Sequence, residues 1–178
     1  MTGMELKILD WLQTIRTPIG DALMCFITSL GNVGAIWIVL AVVLIAIPKT
    51  RKSGIIVAAA LIIDAVLCSG ILKNVFCRIR PFDVNTAIQV LIIKPRDFSF
   101  PSGHTSASTA LYLAKERKLF ILTLVLACLI AFSRMYLYVH YPTDIIGGLL
   151  IGIASAYLAY WCQKKIPAVR RNSEKLAS

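Results

Sequence analysis

From Val33 to Gln163 the chain is a series of apolar runs separated by short polar segments: Val33–Ile47, Gly54–Lys73, Gly103–Ala114, Leu119–Val139 and Thr143–Gln163. A helix rises ~1.5 Å per residue and the hydrocarbon core of a bilayer is ~30 Å thick, so ~20 apolar residues cross it. Inside lipid every backbone polar group must be bonded within the protein, which makes runs of this kind helices. The expected fold is all-α: an integral membrane helical bundle of about five spans preceded by N-terminal interfacial helices. Gly103–Ala114 is too short to cross alone, so its first residues should lie below the rim of the bilayer, around a cavity. Gly31, Asn32 and Gly34 interrupt the apolar stretch from Asp21 to Ile47. A short surface helix to about Leu30 followed by a span is expected there, with one long tilted helix as the alternative.

Composition supports the same class. Of 178 residues, 58% are hydrophobic and only 16% charged, where soluble domains carry about a quarter charged residues. Disorder, a collagen-like fibre and a disulfide-rich secreted module are excluded. The five cysteines (Cys25, Cys68, Cys77, Cys128, Cys162) show no metal-ligand spacing, so core or lipid-facing roles are expected. The start of the chain lacks a basic n-region followed by an apolar run, and no signal peptide is expected. Leu6, Leu9, Trp11, Leu12 and Ile15 can share one face of a helix ending before Pro18, with Glu5, Lys7, Asp10, Gln13 and Arg16 elsewhere. That is the pattern of an interfacial amphipathic helix. One domain is expected over 1–178: interfacial helices over 1–31, a transmembrane catalytic core over 32–165 and a basic cytoplasmic tail over 166–178.

The net charge of +10 sets the expected orientation. Lys49, Arg51, Lys52, Lys115, Arg117, Lys118, Lys164, Lys165, Arg170, Arg171 and Lys175 fall on one side of the bundle, and only Lys73, Arg78, Arg80, Lys94, Arg96 and Arg134 on the other. The positive-inside rule puts the first group and the C-terminus in the cytoplasm, and the second group outside.

Three clusters meet on the outward side: Lys73-x6-Arg80-Pro81, Pro101-Ser102-Gly103-His104, and Ser133-Arg134-x5-His140-x3-Asp144. Charged groups at the edge of a membrane bundle are costly unless paired or functional. Three cations, both histidines of the chain and a carboxylate on one face suit an anionic, phosphoryl-transfer site. Arg80 and Arg134 can fork phosphate oxygens, Lys73 supplies a point charge, and Ser102 and Gly103 open a helix whose N–H groups cradle anions. Of the two imidazoles, one can attack phosphorus and the other protonate the leaving oxygen; Asp144, four residues after His140, can orient its ring. No carboxylate cluster suited to a metal lies near, so neutralisation is expected to fall to the cations, with no cofactor.

These motifs, in this order, resemble the signature of the type 2 phosphatidic acid phosphatase (PAP2) superfamily, whose members include lipid phosphatases, bacterial undecaprenyl-diphosphate phosphatases and vanadium haloperoxidases. The resemblance spans roughly residues 20–165. It implies a PAP2/haloperoxidase-like core in a multi-pass cell-membrane enzyme. It also implies His140 as a nucleophile forming a phosphohistidine, Asp144 orienting it and His104 as general acid. Lys73, Arg80, Ser102, Gly103 and Arg134 would bind phosphate, without metal. The implied substrate is a lipid phosphate or diphosphate, most simply undecaprenyl diphosphate, with phosphatidylglycerol phosphate or phosphatidic acid as alternatives. A non-enzymatic lipid-binding or transport protein is a remoter reading, and nucleic acid is not an expected partner.

Taken singly, Lys73 would snorkel from a helix end and Ser102 would cap a helix; their convergence with the other motif residues favours function. Arg78, Lys94 and Arg96 are expected to be solvated or headgroup-facing charges. Asp64, midway along a span, reads as a protonated or hydrogen-bonded structural residue. Gly147, Gly148 and Gly152 should allow close helix packing. Tyr136, Tyr138, Tyr141, Tyr157, Tyr160 and Trp161 should form interfacial belts.

Overall fold

The computed structural model describes residues 2–109 and 117–165. Its helices are α1 (Thr2–Thr14), α2 (Pro18–Leu30), α3 (Ala35–Ala46), α4 (Arg51–Asp64), α5 (Lys73–Phe76), α6 (Pro81–Val84), α7 (Gly103–Thr109), α8 (Arg117–Tyr136) and α9 (Pro142–Lys165). A π-helical stretch, Ala65–Leu72, joins α4 to α5. Among the described residues, Arg51–Val84 and Pro142–Lys165 are long and apolar enough to cross a membrane. The expected end of α7 at Ala114 and the basic tail over 166–178 lie outside the described residues.

Thr17 caps α2, its hydroxyl accepting from Gly20 N at 3.1 Å, and Pro18 occupies the first turn, where its missing N–H costs nothing. The stretch from Asp21 to Ile47 is not one straight helix: it breaks after Leu30, where the interrupting residues Gly31, Asn32 and Gly34 were expected to break it. α2 and α3 together have the length and composition of a span, bent by 44° at the 3-10 turn Asn32–Gly34. Val33 and Gly34 both adopt positive φ there, 54° and 68°. A β-branched residue tolerates that region poorly.

The bundle is built on α4, which packs against α3 and α9; α7 lies between α8 and α9. Ile27, Trp37, Ala41, Leu44, Val57 and Ile130 form the core between α2, α3, α4 and α8. Outward-pointing Val39, Val42, Leu122 and Leu150 remain exposed, as expected of side chains whose solvent is lipid. Gly147 and Gly148 serve close approach: a Cβ on Gly147 would stand 2.4 Å from the Phe100 ring, and one on Gly148 2.5 Å from Ser102 O. These absent side chains let the segment Ser99–Ser102, which includes a cis Phe100–Pro101 peptide, lie directly on α9.

Two expectations are corrected. Tyr136, Tyr138 and Tyr141 are not belt residues: they are buried with Leu9, Leu12, Phe82, Leu137 and Val139 in a core beneath α1. Their positions follow from the turn over 137–141, where Tyr138 takes φ 61° and the chain folds back under α1. α1 therefore packs on the bundle through Leu9 and Leu12, with Glu5 buried beside them, and not through its Trp11 and Ile15 edge. Met4, Ile8, Trp11 and Ile15 form an exposed apolar stripe at i, i+4, i+7 and i+11, suited to an interface.

Candidate active site

α5 ends at Cys77, whose φ of 45° reverses the chain and carries Arg78 and Arg80 back over the end of the bundle. Pro81 then starts α6. Arg80 is buried, and all five guanidinium protons have acceptors. Nε–H meets Asp97 O at 2.8 Å; Nη1 meets Val139 O at 2.7 Å and His140 Nε2 at 3.3 Å; Nη2 meets Asp97 Oδ1 at 2.7 Å and Phe98 O at 3.3 Å. Lys73 Nζ donates to the Asp97 carboxylate and, at 3.1 Å, to Phe98 O. Burial alone would raise the Asp97 carboxyl, but the hydrogen bond and charge of Lys73, with Arg80, hold it at about 2.

α8 delivers Arg134, and the tight turn after it delivers His140. Val139 N and His140 N both donate to Arg134 O, at 3.1 and 3.3 Å. The imidazole protonation follows from its neighbours. Arginine only donates, so Nε2 is the lone-pair nitrogen facing Arg80, and Nδ1 carries the proton toward Asp144 Oδ2 at 3.3 Å. Burial, then Arg80, Arg134, Lys73 and His104, push His140 well below the ordinary histidine value, which keeps it neutral. Asp144 is wholly buried. Its Oδ2 also accepts from Ser99 Oγ and from Tyr141 N at 2.9 Å, and its Oδ1 from Arg78 Nη1 at 2.6 Å. Ser102 N donates to its backbone carbonyl at 3.1 Å.

Lys73, Arg80, Gly103, His104, Arg134 and His140 line one cavity of about 580 Å³. From this polar end the cavity continues along Val33, Ile38, Leu61, Ala65 and Ala107, an apolar wall. Arg134 Nη1 donates to Thr28 Oγ1 at 2.7 Å, while its buried Nε–H has no partner among the described residues. A buried donor left unmade is expensive, and an anion in this cavity would complete it. His104 rests on Gly31, where a Cβ would stand 2.7 Å from its Cδ2, and its Nε2 donates to Asn32 Oδ1 at 3.2 Å. Asp64 lines the cavity deeper in the bundle; Ser106 Oγ donates to its Oδ2 at 2.9 Å, and Oδ1 is unpartnered among the described residues.

Two of the expected site residues stand back from the cavity. Ser102 is fully buried behind it, its hydroxyl accepting from Thr105 Oγ1 at 3.1 Å, and Asp144 lies behind His140. Arg78, expected to be a solvated charge, is instead fixed. Nη1 donates to Asp144 and to Thr143 Oγ1 at 2.6 Å, Nη2 donates to Glu5 Oε2 at 2.6 Å, and the guanidinium stacks 4.0 Å over the Tyr141 ring. Two buried carboxylates converge on it, and their desolvation demands a cation. Asn32, Asp97, Ser99 and Glu5 were also missed. The run of small and polar residues that breaks α2 from α3 was the available signal for Asn32; Glu5 had none, since its partners are 73 and 138 residues away.

Buried cations around the His140 imidazole line the polar end of a partly apolar cavity in a helical membrane bundle, an arrangement suited to a phosphate carried on an apolar tail. The sequence profile of the PAP2 superfamily matches residues 53–168. An undecaprenyl-diphosphatase of Sulfolobus acidocaldarius is 32% identical over 161 residues, 88% of this chain and 77% of that protein. Undecaprenyl-diphosphatase BcrC of Bacillus subtilis is 32% identical over 147 residues, 79% of this chain and 73% of that protein. Among solved structures, the transmembrane PAP2-type phosphatidylglycerolphosphate phosphatase of Bacillus subtilis superposes with a TM-score of 0.75 at 28% identity, covering 93% of this chain and 87% of that one. The chain belongs to the PAP2 superfamily and is a membrane lipid phosphatase of that family.

Replacing Arg78 by Met leaves Glu5 and Asp144 without their shared cation. Arg78→Met is expected to lower unfolding stability by on the order of 3 kcal/mol and to slow phosphate release. Thermal unfolding in detergent checks this, and an unchanged melting temperature would show that the network contributes nothing.

Proposed function

We propose that this enzyme removes the terminal phosphate of undecaprenyl diphosphate on the extracytoplasmic face of the cell membrane through a phosphohistidine on His140. The observation that carries the reading is the placement of His140: Nε2 lies at the cavity 3.3 Å from Arg80 Nη1, and Nδ1 lies 3.3 Å from Asp144 Oδ2, a pairing that assigns the proton to Nδ1. In the first step Nε2 attacks the terminal phosphorus, and the bond to the bridging oxygen breaks. His104, as the imidazolium paired with the bound phosphate dianion, gives one proton to that oxygen and becomes neutral, releasing the lipid monophosphate. In the second step water attacks the phosphohistidine, His104 takes the water proton, and inorganic phosphate leaves with His140 neutral again. Lys73, Arg80, Arg134 and the Gly103 backbone spread the charge on the equatorial oxygens; Ser102 acts by holding Asp144, and Asn32 by orienting His104. The cations supply the neutralisation, so turnover should persist in chelator.

The apolar wall of the cavity supports a substrate whose tail lies in the bilayer. The two undecaprenyl-diphosphatase relatives favour the diphosphate, and phosphatidylglycerol phosphate is the second reading, favoured by the structural neighbour. Purified protein in detergent micelles with chelator present should release phosphate from C55 diphosphate faster than from phosphatidylglycerol phosphate or phosphatidic acid, and His140→Ala should release none. Loss of His104 should cost ~10²–10⁴-fold with an alkyl phosphate but little with p-nitrophenyl phosphate, whose leaving group needs no proton. Equal losses with both esters would contradict the general-acid role.

The basic loops favour an outward-facing site. In a background lacking the five cysteines, a probe cysteine at exposed Asp83 should be labelled by an impermeant reagent added to intact cells. Labelling only after the membrane is opened would invert the topology.

A further inference from the structure

Every donor of Arg80 is engaged by an acceptor within the protein. Of its acceptors, the carbonyls of Asp97, Phe98 and Val139 are backbone, and they hold the guanidinium in place. Lys73 is likewise held by Phe98 O. The Asp97 carboxylate is therefore not needed to position either cation, yet it bridges both. It is also the least enclosed part of the group: the Asp97 side chain is 52% exposed, against 6% for Lys73 and 3% for Arg80. A phosphate that is to bond both Arg80 Nη2 and Lys73 Nζ must first displace it. Asp97 borders a second, outer basin as well, where Lys94 and Arg96 can receive the displaced carboxylate.

We infer that Asp97 is a specificity-determining residue: a tethered carboxylate that occupies the phosphate cradle and yields it only to a phosphate dianion. This rests on the phosphatase reading and adds to it a rule of selection. Terminal phosphates carry close to two negative charges near neutral pH, since their second ionisation lies near pH 6. A phosphodiester headgroup carries one. Exchanging Asp97 for a dianion adds a unit of negative charge opposite Lys73, Arg80 and Arg134. Exchanging it for a monoanion adds none, and the monoanion must still compete with a ligand tethered to the same chain. A membrane surface presents phosphodiester headgroups far in excess of any terminal phosphate, so a bare cradle of three cations would fill with the wrong lipid. Discrimination here works through a competing group, which weakens the wrong ligand more than the right one.

The test is Asp97→Asn, which keeps shape and removes the charge, alongside Asp97→Ala. Inhibition of turnover by phosphatidylglycerol is measured in mixed micelles, and binding of inorganic phosphate by calorimetry on the purified protein. Both variants are expected to bind phosphatidylglycerol and inorganic phosphate at least about tenfold more tightly than the unaltered enzyme, the scale of one charge-assisted contact. The gain should be larger for the phosphodiester, and Asp97→Glu should restore the original discrimination. Unchanged or weaker binding in both variants would overturn the inference and make Asp97 a strut for the two cations. The calorimetric arm needs no turnover, so its outcome stands apart from that of His140→Ala, on which the phosphatase mechanism depends.

Discussion

Asp144 is a carboxylate with no solvent exposure at the end of a membrane helix, and most of the site follows from compensating that charge. Removing such an ion from water costs several kcal/mol unless donors and a counter-charge surround it. The donors come from every part of the constellation. Arg78 arrives from the loop after α5, Ser99 from the segment before α7, and Tyr141 and His140 from the turn before α9. One buried carboxylate thus ties three motifs, separated by scores of residues, to one another. It also decides which nitrogen of His140 carries its lone pair toward the cavity.

The same constraint explains why α1 matters to a site it does not touch. Arg78 stands between Asp144 and Glu5, and Glu5 further accepts from Thr143 N at 3.1 Å and from its hydroxyl. The first helix is thereby bound through two ion pairs to the residue that orients the proposed nucleophile. Its exposed stripe of Met4, Ile8, Trp11 and Ile15 faces away from the bundle. A helix suited to an interface on one side holds the turn that carries His140 on the other.

Much of this was legible in the chain. Helix-length apolar runs announced an all-helical bundle, and the three motifs named six of the residues lining the cavity, because both signals are local. What stayed hidden was everything that depends on pairing at a distance. Glu5 looked like the polar side of a surface helix, although its partner is Arg78. Arg78 looked like one more loop cation, because nothing in its surroundings announced two buried carboxylates. Tyr138 and Tyr141 looked like belt residues, because the turn that buries them is set by a positive φ at Tyr138. Asp97 ran against expectation in sign, a carboxylate placed where an anion should bind. The break at Asn32 was visible, but its use as the support for His104 needed the packing of α7 against the α2–α3 bend.

The central claim is that phosphate passes through Nε2 of His140. Its most direct test is to mix the enzyme with undecaprenyl diphosphate labelled in the terminal phosphate, quench within one turnover and map the labelled peptide. A label stable in alkali, labile in acid and confined to the peptide containing His140 is the predicted result. No transient label, or a label that survives in His140→Ala, would contradict the account.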